Sequence, residues 1–177
     1  MTERAHGARE AERSNILGTI SIRHASTSDV SFVSKAILDG ARDGHFDISQ
    51  TIDAVQATNE MIISQGMLAK ATENGELLWV DAALWVAEKN HQLAAFMVCS
   101  REMPGSEKIE VLVLYTSQHF RRQGIARRLV RHAFQEYPNT LMAHCFGKST
   151  FAMLVFEGLG FRLVAVTPER FTYELVR

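Results

Sequence analysis

Residues 109–129 read Ile109-Glu110-Val111-Leu112-Val113-Leu114-Tyr115-Thr116-Ser117-Gln118-His119-Phe120-Arg121-Arg122-Gln123-Gly124-Ile125-Ala126-Arg127-Arg128-Leu129. The first eight, rich in β-branched and long apolar side chains, predict a strand near the centre of a sheet. Gly124 to Tyr137 predicts an amphipathic helix. Ile125, Leu129, Val130, Ala133 and Phe134 share one face, while Arg127, Arg128, Arg131 and Gln135 cover the other. Glycine stands at the joint of strand, loop and helix. A helix N-terminus carries unpaired N–H groups and the positive end of the helix dipole, which together favour a phosphate. Gly124 removes a Cβ from the approach, Ala126 keeps the first turn slim, and Arg121 and Arg122 add charge. No Gly-Lys-Ser/Thr follows, so this is not a nucleotide-hydrolase phosphate loop. A single glycine also excludes the GxGxxG of dinucleotide folds. By itself the segment equally fits an ordinary loop with exposed arginines.

Outward from this unit, Leu141 to Phe146 predicts a strand and Ser149 to Leu159 a helix, with Gly160 as a left-handed cap. Pro138 closes the preceding helix. Arg162–Thr167 and Arg170–Val176 predict a closing strand pair. Upstream, Leu84 to Glu88 and Gln92 to Ser100 flank Lys89-Asn90-His91 as a hairpin, and Pro104-Gly105-Ser106 is a second turn. Ile20-Ser21-Ile22-Arg23 alternates like a short strand. Val30, Val33, Ile37 and Leu38 repeat at helical spacing, with Gly40 as a C-cap. Ile52 to Ala71 predicts one long or two short helices. Gly44-His45-Phe46-Asp47 is loop-like. Residues 1 to 17 form a polar leader with little to bury, so the expected organisation is a leader, 1–17, and one domain, 18–177. The order β-α-α-β-β-β-α-β-α-β-β fits an α/β fold on a mixed, mostly antiparallel sheet.

Of the 177 residues 46% are hydrophobic and 22% charged, the balance of a globular chain. A net charge of -1 argues against a nucleic-acid partner. The apolar runs are too short to span a bilayer, and the N-terminus lacks the apolar core of a secretory signal. Cys99 and Cys145 sit in apolar runs and read as buried reduced thiols, with no metal-ligand spacing. A cytoplasmic location is expected.

The 109–129 stretch resembles the core signature of the GNAT superfamily of acetyl-CoA-dependent N-acetyltransferases: an apolar strand, a short bulged loop, then Arg/Gln-x-x-Gly-x-Gly/Ala and an amphipathic helix. Arg121, Gly124 and Ala126 occupy its three fixed places. Ser149-Thr150-Phe151-Ala152-Met153-Leu154-Val155-Phe156-Glu157-Gly158-Leu159-Gly160-Phe161 is similar to a second block, Asn-x-x-Ala-x-x-x-Tyr-x-x-x-Gly-Phe, with Ala152, Gly160 and Phe161 matching. Ile22-Arg23 followed by Asp29 resembles the usual start of the family. The resemblance runs from about residue 19 to 177 and implies a central sheet with helices on both faces.

It further implies that the segment from Leu114 to Ala126 binds acetyl-CoA, without a metal. The pyrophosphate rests on the N–H groups of Arg122, Gln123, Gly124, Ile125 and Ala126, beside Arg121. The pantetheine arm lies between the strands at 109–116 and 141–146, pairing with backbone near Leu114, Tyr115 and Thr116. A backbone N–H near Leu114 can polarise the thioester carbonyl. The acceptor is a primary amine of a small molecule or peptide, and the expected pocket includes His45 and Phe46. A lysine-like amine, with a pKa near ~10.4, must lose a proton to react. Glu110, at the place of the histone-type general base, is the first candidate, and an apolar setting would raise its pKa. An alternating strand also allows Glu110 to be solvent-facing or ion-paired. His144 and His45 are weaker candidates that also read as structural histidines. Ser149 replaces the frequent Asn and can still reach the cofactor. Phe156 replaces the frequent Tyr that protonates the leaving thiolate, leaving Cys145, Ser149, Tyr115 or water for that role. Trp79 and Trp85 read as core or groove wall.

Two other functions remain in play. Phe156 favours an acyl-CoA sensor without turnover. A toxin-type relative acting on aminoacyl-tRNA would need a basic acceptor surface, which the net charge argues against. Many relatives are dimers, so a homodimer is a further expectation.

Overall fold

The computed structural model describes residues 19–46, 50–72, 74–137 and 140–176. The expected leader, Asp47 and the helix-closing Pro138 lie outside the described residues. Strands β1 (Ile20–His24), β2 (Met67–Ala71), β3 (Leu77–Lys89), β4 (Gln92–Arg101), β5 (Ile109–Thr116), β6 (Leu141–Phe146), β7 (Arg162–Val166) and β8 (Arg170–Leu175) are joined by four α-helices. These are α1 (Val30–Arg42), α2 (Ile52–Gln65), α3 (Ile125–Glu136) and α4 (Thr150–Glu157). The sheet order is β1-β3-β4-β5-β6-β8-β7, with β2 also paired to β3. Among the described residues, β5 and β6 run parallel and the other neighbouring strands are antiparallel.

Each sheet face buries its own helices. Val33 and Ile37 of α1 and Val55 and Ile62 of α2 pack on Val86, Phe96 and Val113. Ile125, Leu129, Val130 and Ala133 of α3 and Phe156 of α4 pack on Met97, Val111, Ala143 and Cys145. Complete burial of such side chains contributes roughly 1.5–3 kcal/mol each, and these residues are the ones the α3 periodicity places inward. The β3–β4 hairpin turns through Asn90 (φ 52) and His91 (φ 63), the left-handed pair of a tight hairpin turn.

The structure corrects several expectations. The segment read as helix to Ala71 stops at Gln65. Gly66 (φ 68) caps α2, and residues 67–71 form β2. Met, Leu, Ala and Lys are helix formers, so local propensity pointed the wrong way. Pairing with Leu77–Asp81 of β3 overrides it. That pairing also lengthens β3 upstream of Leu84 and adds one strand to the expected order. Gly40 is not a C-cap but lies inside α1, where the Phe46 ring occupies the space of a Cβ, 2.3 Å from its ideal position. Trp85 is core at 2% exposure, whereas Trp79 is 48% exposed and lines neither core nor cavity.

Candidate active site

The cleft follows from one irregularity and one parting of strands. On β4, Cys99 pairs with Val111 and Val98 with Val113, so Leu112 is an extra, bulged residue in β5. The bulge reverses the side-chain alternation. Ile109 and Val111 face the α3 side, whereas Val113 faces the α1–α2 side. β5 and β6 pair only at Ile109↔Leu141, Glu110↔Met142 and Val111↔Ala143. Beyond these pairs both strands continue, and a cavity of about 1100 Å³ opens between and beside them. Ser117 donates its backbone N–H to Ala94 on the β4 side. Alternation along an antiparallel ladder then turns the backbone groups of Thr116 and Leu114 toward the open side. Arg121 Nε lies 3.2 Å from the Thr116 carbonyl, in accord with that direction. Leu114, Tyr115 and Thr116 all line the cavity, although the Tyr115 ring itself stacks on Phe96 at 5.3 Å.

At the β5 end a 3-10 turn (Gln118–Phe120) leads into Arg121, Arg122 at φ 63 and Gly124 at φ 77. Gly124 is the N-cap of α3, and no atom lies within 4 Å of the place of its missing Cβ. Backbone conformation, rather than crowding, therefore calls for glycine here. The first-turn N–H groups of Ile125, Ala126 and Arg127 have no acceptor within the helix. Arg121 and Arg122 line the cavity. The Ile125 side chain is core, and Gln123 turns its amide to Lys89 and to the His119 carbonyl. These two residues can therefore offer only backbone to a ligand. The Arg127 guanidinium lies against Gly158, the C-cap of α4, and lines the cavity, so the arginine face of α3 is not wholly solvated.

Of the two readings of Glu110, a base in apolar surroundings and an ion-paired strand residue, the structure shows the ion pair. Lys70 Nζ of β2 lies 2.7 Å from its Oε2 and also donates to the Arg101 and Glu102 carbonyls at 2.9 and 3.3 Å. Its other oxygen is 3.8 Å from His144 Nε2, and His144 Nδ1 is 3.0 Å from Thr172 Oγ1 of β8. Sequence reading missed Lys70, because it was placed in a helix, and Thr172, whose partner comes from another strand. Glu110 and His144 both line the cavity.

His45 and Phe46 line the same cavity from the α1–α2 connection, with Asp39 and Asp43. His45 Nδ1 comes within 3.3 Å of Ser149 Oγ, the N-cap of α4, joining the expected acceptor wall to the expected cofactor wall. Phe156 is buried against Phe161 and Tyr173. Cys145 lines the cavity but is 3% exposed, and burial pushes its thiol up to about 11. Protonating a thiolate of pKa near 8.5 from such a thiol is uphill, so Cys145 is poorly matched to that role. Among the described residues no group of three or more His, Cys, Asp or Glu side chains is disposed to hold a metal ion. No described helix is long and apolar enough to cross a membrane.

Comparison with known proteins places this architecture. A family model described as the acetyltransferase (GNAT) family matches residues 57–161. The chain therefore belongs to that family and is an acyltransferase of the acetyl-transferring kind. Similar solved structures include a Desulfovibrio desulfuricans protein assigned to the same family, with TM-score 0.68 and 15% identity over 89% of this chain and 99% of that one. The Thermoplasma acidophilum PaiA N-acetyltransferase, solved with coenzyme A, gives 0.66 and 14% over 90% and 99%. Arabidopsis thaliana NAA60, solved with a bisubstrate analogue, gives 0.64 and 15% over 89% and 98%. At these identities the likeness concerns the fold. No curated protein matches the sequence.

Proposed function

We propose that the protein transfers the acetyl group of acetyl-CoA to a primary amine of a small molecule or peptide by direct attack on the thioester. The observation that carries this reading is the parting of β5 and β6 beyond Val111 and Ala143. One cavity then reaches both Arg121 and Arg122, ahead of α3, and the pair Glu110 and His144. The residues present fit the co-substrate. Backbone N–H groups of Arg122 to Ala126, flanked by Arg121, hold the pyrophosphate. Leu114, Tyr115 and Thr116 offer backbone to the pantetheine amides, and Ser149 stands at the opposite wall. In this reading the Leu114 N–H stabilises the developing oxyanion. Glu110 and His144 take the proton that the amine must lose. His45 and Phe46 bound the acceptor. PaiA with coenzyme A and NAA60 with a bisubstrate analogue are precedents on the same fold. Two free, buried thiols suit a reducing cytoplasm.

Phe156 supports a second reading, an acyl-CoA sensor, because its buried ring supplies no proton to a leaving thiolate. One experiment separates the two. The protein is incubated with acetyl-CoA and an amine panel, free thiol is followed, and thermal stability is read alongside. Saturation at ~100 times Kd adds about 2.7 kcal/mol. A stability shift with thiol release supports the transferase. A shift without release across the panel supports the sensor, and no shift removes acetyl-CoA from the reading.

A further inference from the structure

We propose that Lys89, on the β3–β4 hairpin, is a positioning residue for acetyl-CoA binding. Through the Gln123 side chain it holds the loop at 121–126 in its ligand-ready conformation before any ligand arrives. This rests on the acetyl-CoA part of the proposed function and adds to it a residue from outside the loop.

Lys89 is the last residue of β3, held between Ile20 of β1 and Gln92 of β4. The tight turn that follows, through left-handed Asn90 and His91, keeps this end of the strand pair short. From there the Lys89 ammonium reaches 2.5 Å from Gln123 Oε1, across 34 residues of chain. Gln123 Nε2 lies 3.0 Å from the His119 main-chain carbonyl. Both bonds have a fixed direction. An ammonium only donates and a carbonyl only accepts, so the Gln123 amide has one orientation that satisfies both partners. The cavity is lined by Arg121 and Arg122 but by neither Lys89 nor Gln123. The two side chains therefore act on a ligand through the loop backbone.

The backbone is what needs holding. Gln123 stands between Arg122 at φ 63 and Gly124 at φ 77. Glycine takes such a conformation freely, whereas arginine keeps it only where its surroundings impose it. Ahead of this pair, the Arg121 Nε bond to the Thr116 carbonyl ties the loop to the end of β5. After it, Arg128 donates its N–H to the Gly124 carbonyl at 3.1 Å and starts α3. The Gln123 amide is a tie in between, and both of its partners lie outside the left-handed pair. Returning Arg122 to the right-handed region would swing Gln123 away from the hairpin. With the brace broken, a smaller fraction of the loop is ready to bind, and the apparent Kd rises as the inverse of that fraction. Both hydrogen bonds are exposed, so the effect on folding is small and the effect on binding is the one to measure.

The test titrates the full chain with acetyl-CoA by calorimetry. Lys89→Met and Gln123→Ala should each raise Kd about three- to tenfold, while Tm stays within ~3 °C of wild type. The double variant should bind no more weakly than Gln123→Ala alone, and Lys89→Arg should recover most of the loss. Amide hydrogen exchange of unliganded Lys89→Met should quicken over residues 119–124 and stay unchanged over residues 129–133 of α3. Three results would overturn the proposal: an unchanged Kd in Lys89→Met, losses that multiply in the double variant, or loop exchange that Lys89→Met leaves as it was. Multiplying losses would make Lys89 a distant charge acting on the phosphates directly. Wild-type protein that fails to bind acetyl-CoA overturns the acetyl-CoA reading and this proposal together. Wild-type binding that Lys89→Met does not weaken overturns this proposal alone.

Discussion

Lys70 and Glu110 are 40 residues apart, and their contact ties β2 to the strand that bounds the cleft. At 2.7 Å, two unit charges in an effective dielectric of 20 attract by about 6 kcal/mol. Desolvation offsets several kcal/mol of that. The side chains remain 20% and 15% exposed, so solvent screens part of the rest. A coupling of about 2 kcal/mol is the expected remainder. Lys70→Met strands a carboxylate that is mostly out of water and frees two carbonyls, for a cost of about 3 kcal/mol. Glu110→Gln leaves Lys70 its two carbonyls, for a cost of about 2 kcal/mol. The double variant should lose about 3 kcal/mol rather than the 5 that additivity demands, with both figures approximate. Urea unfolding of the four proteins with a shared m-value measures this. For a chain of this size Lys70→Met should melt about 6–12 °C lower. A coupling below ~0.5 kcal/mol would mean that the pair is a solvated surface contact and that β2 does not anchor Glu110.

Other perturbations test separate parts of the molecule. Gly124→Ala meets no atom but forces a β-carbon residue to φ 77, which should cost about 1–2 kcal/mol and weaken acetyl-CoA roughly tenfold by calorimetry; unchanged values on both counts refute the loop geometry. Burial raises Asp29, but hydrogen bonds from Arg23 and Ser26 outweigh it and hold the carboxyl below the usual carboxylate range. Its stabilisation is therefore complete above about pH 4 and is lost as pH falls through the lower folded value. Asp29→Asn should accordingly destabilise the protein at pH 7 and progressively less in acid, and a pH-independent loss would contradict the pairing. Burial pushes the Cys99 thiol well up and Cys145 to about 11, so native protein at pH 8 should react with a thiol reagent only as it unfolds. Labelling within seconds would show that one thiol is open to solvent.

The strand-to-helix joint at Arg121 to Ala126 was legible because everything that shapes it is adjacent in the chain. Gly124 alone supplies the left-handed N-cap, and the strand and helix periodicities on either side locate the joint. The α3 face was legible for the same reason, since its apolar stripe repeats within twelve residues. Met67–Ala71 was not, because five residues without a β-branched side chain become a strand only through the ladder that β3 offers them. The local sign was Gly66, which caps α2 in the left-handed conformation and ends the helix five residues before its formers run out.

The polar cluster failed to show in the sequence for a related reason. Lys70, Glu110, His144 and Thr172 lie on β2, β5, β6 and β8, and no pair of them is close in sequence. What brings Glu110, His144 and Thr172 to one face is strand parity, which the apolar neighbours declare. Ile109 and Val111 bury one side of Glu110's strand, and Ala143 and Cys145 do the same for His144. A one-residue slip of β6 against β5 would exchange His144 for Cys145 in the cluster and place the imidazole in the apolar core. The packing of α3 and α4 on Ala143 and Cys145 therefore also keeps His144 facing Glu110. Enlarging Ala143, which is 1% exposed, should disturb turnover through register before it disturbs the loop at 121–126.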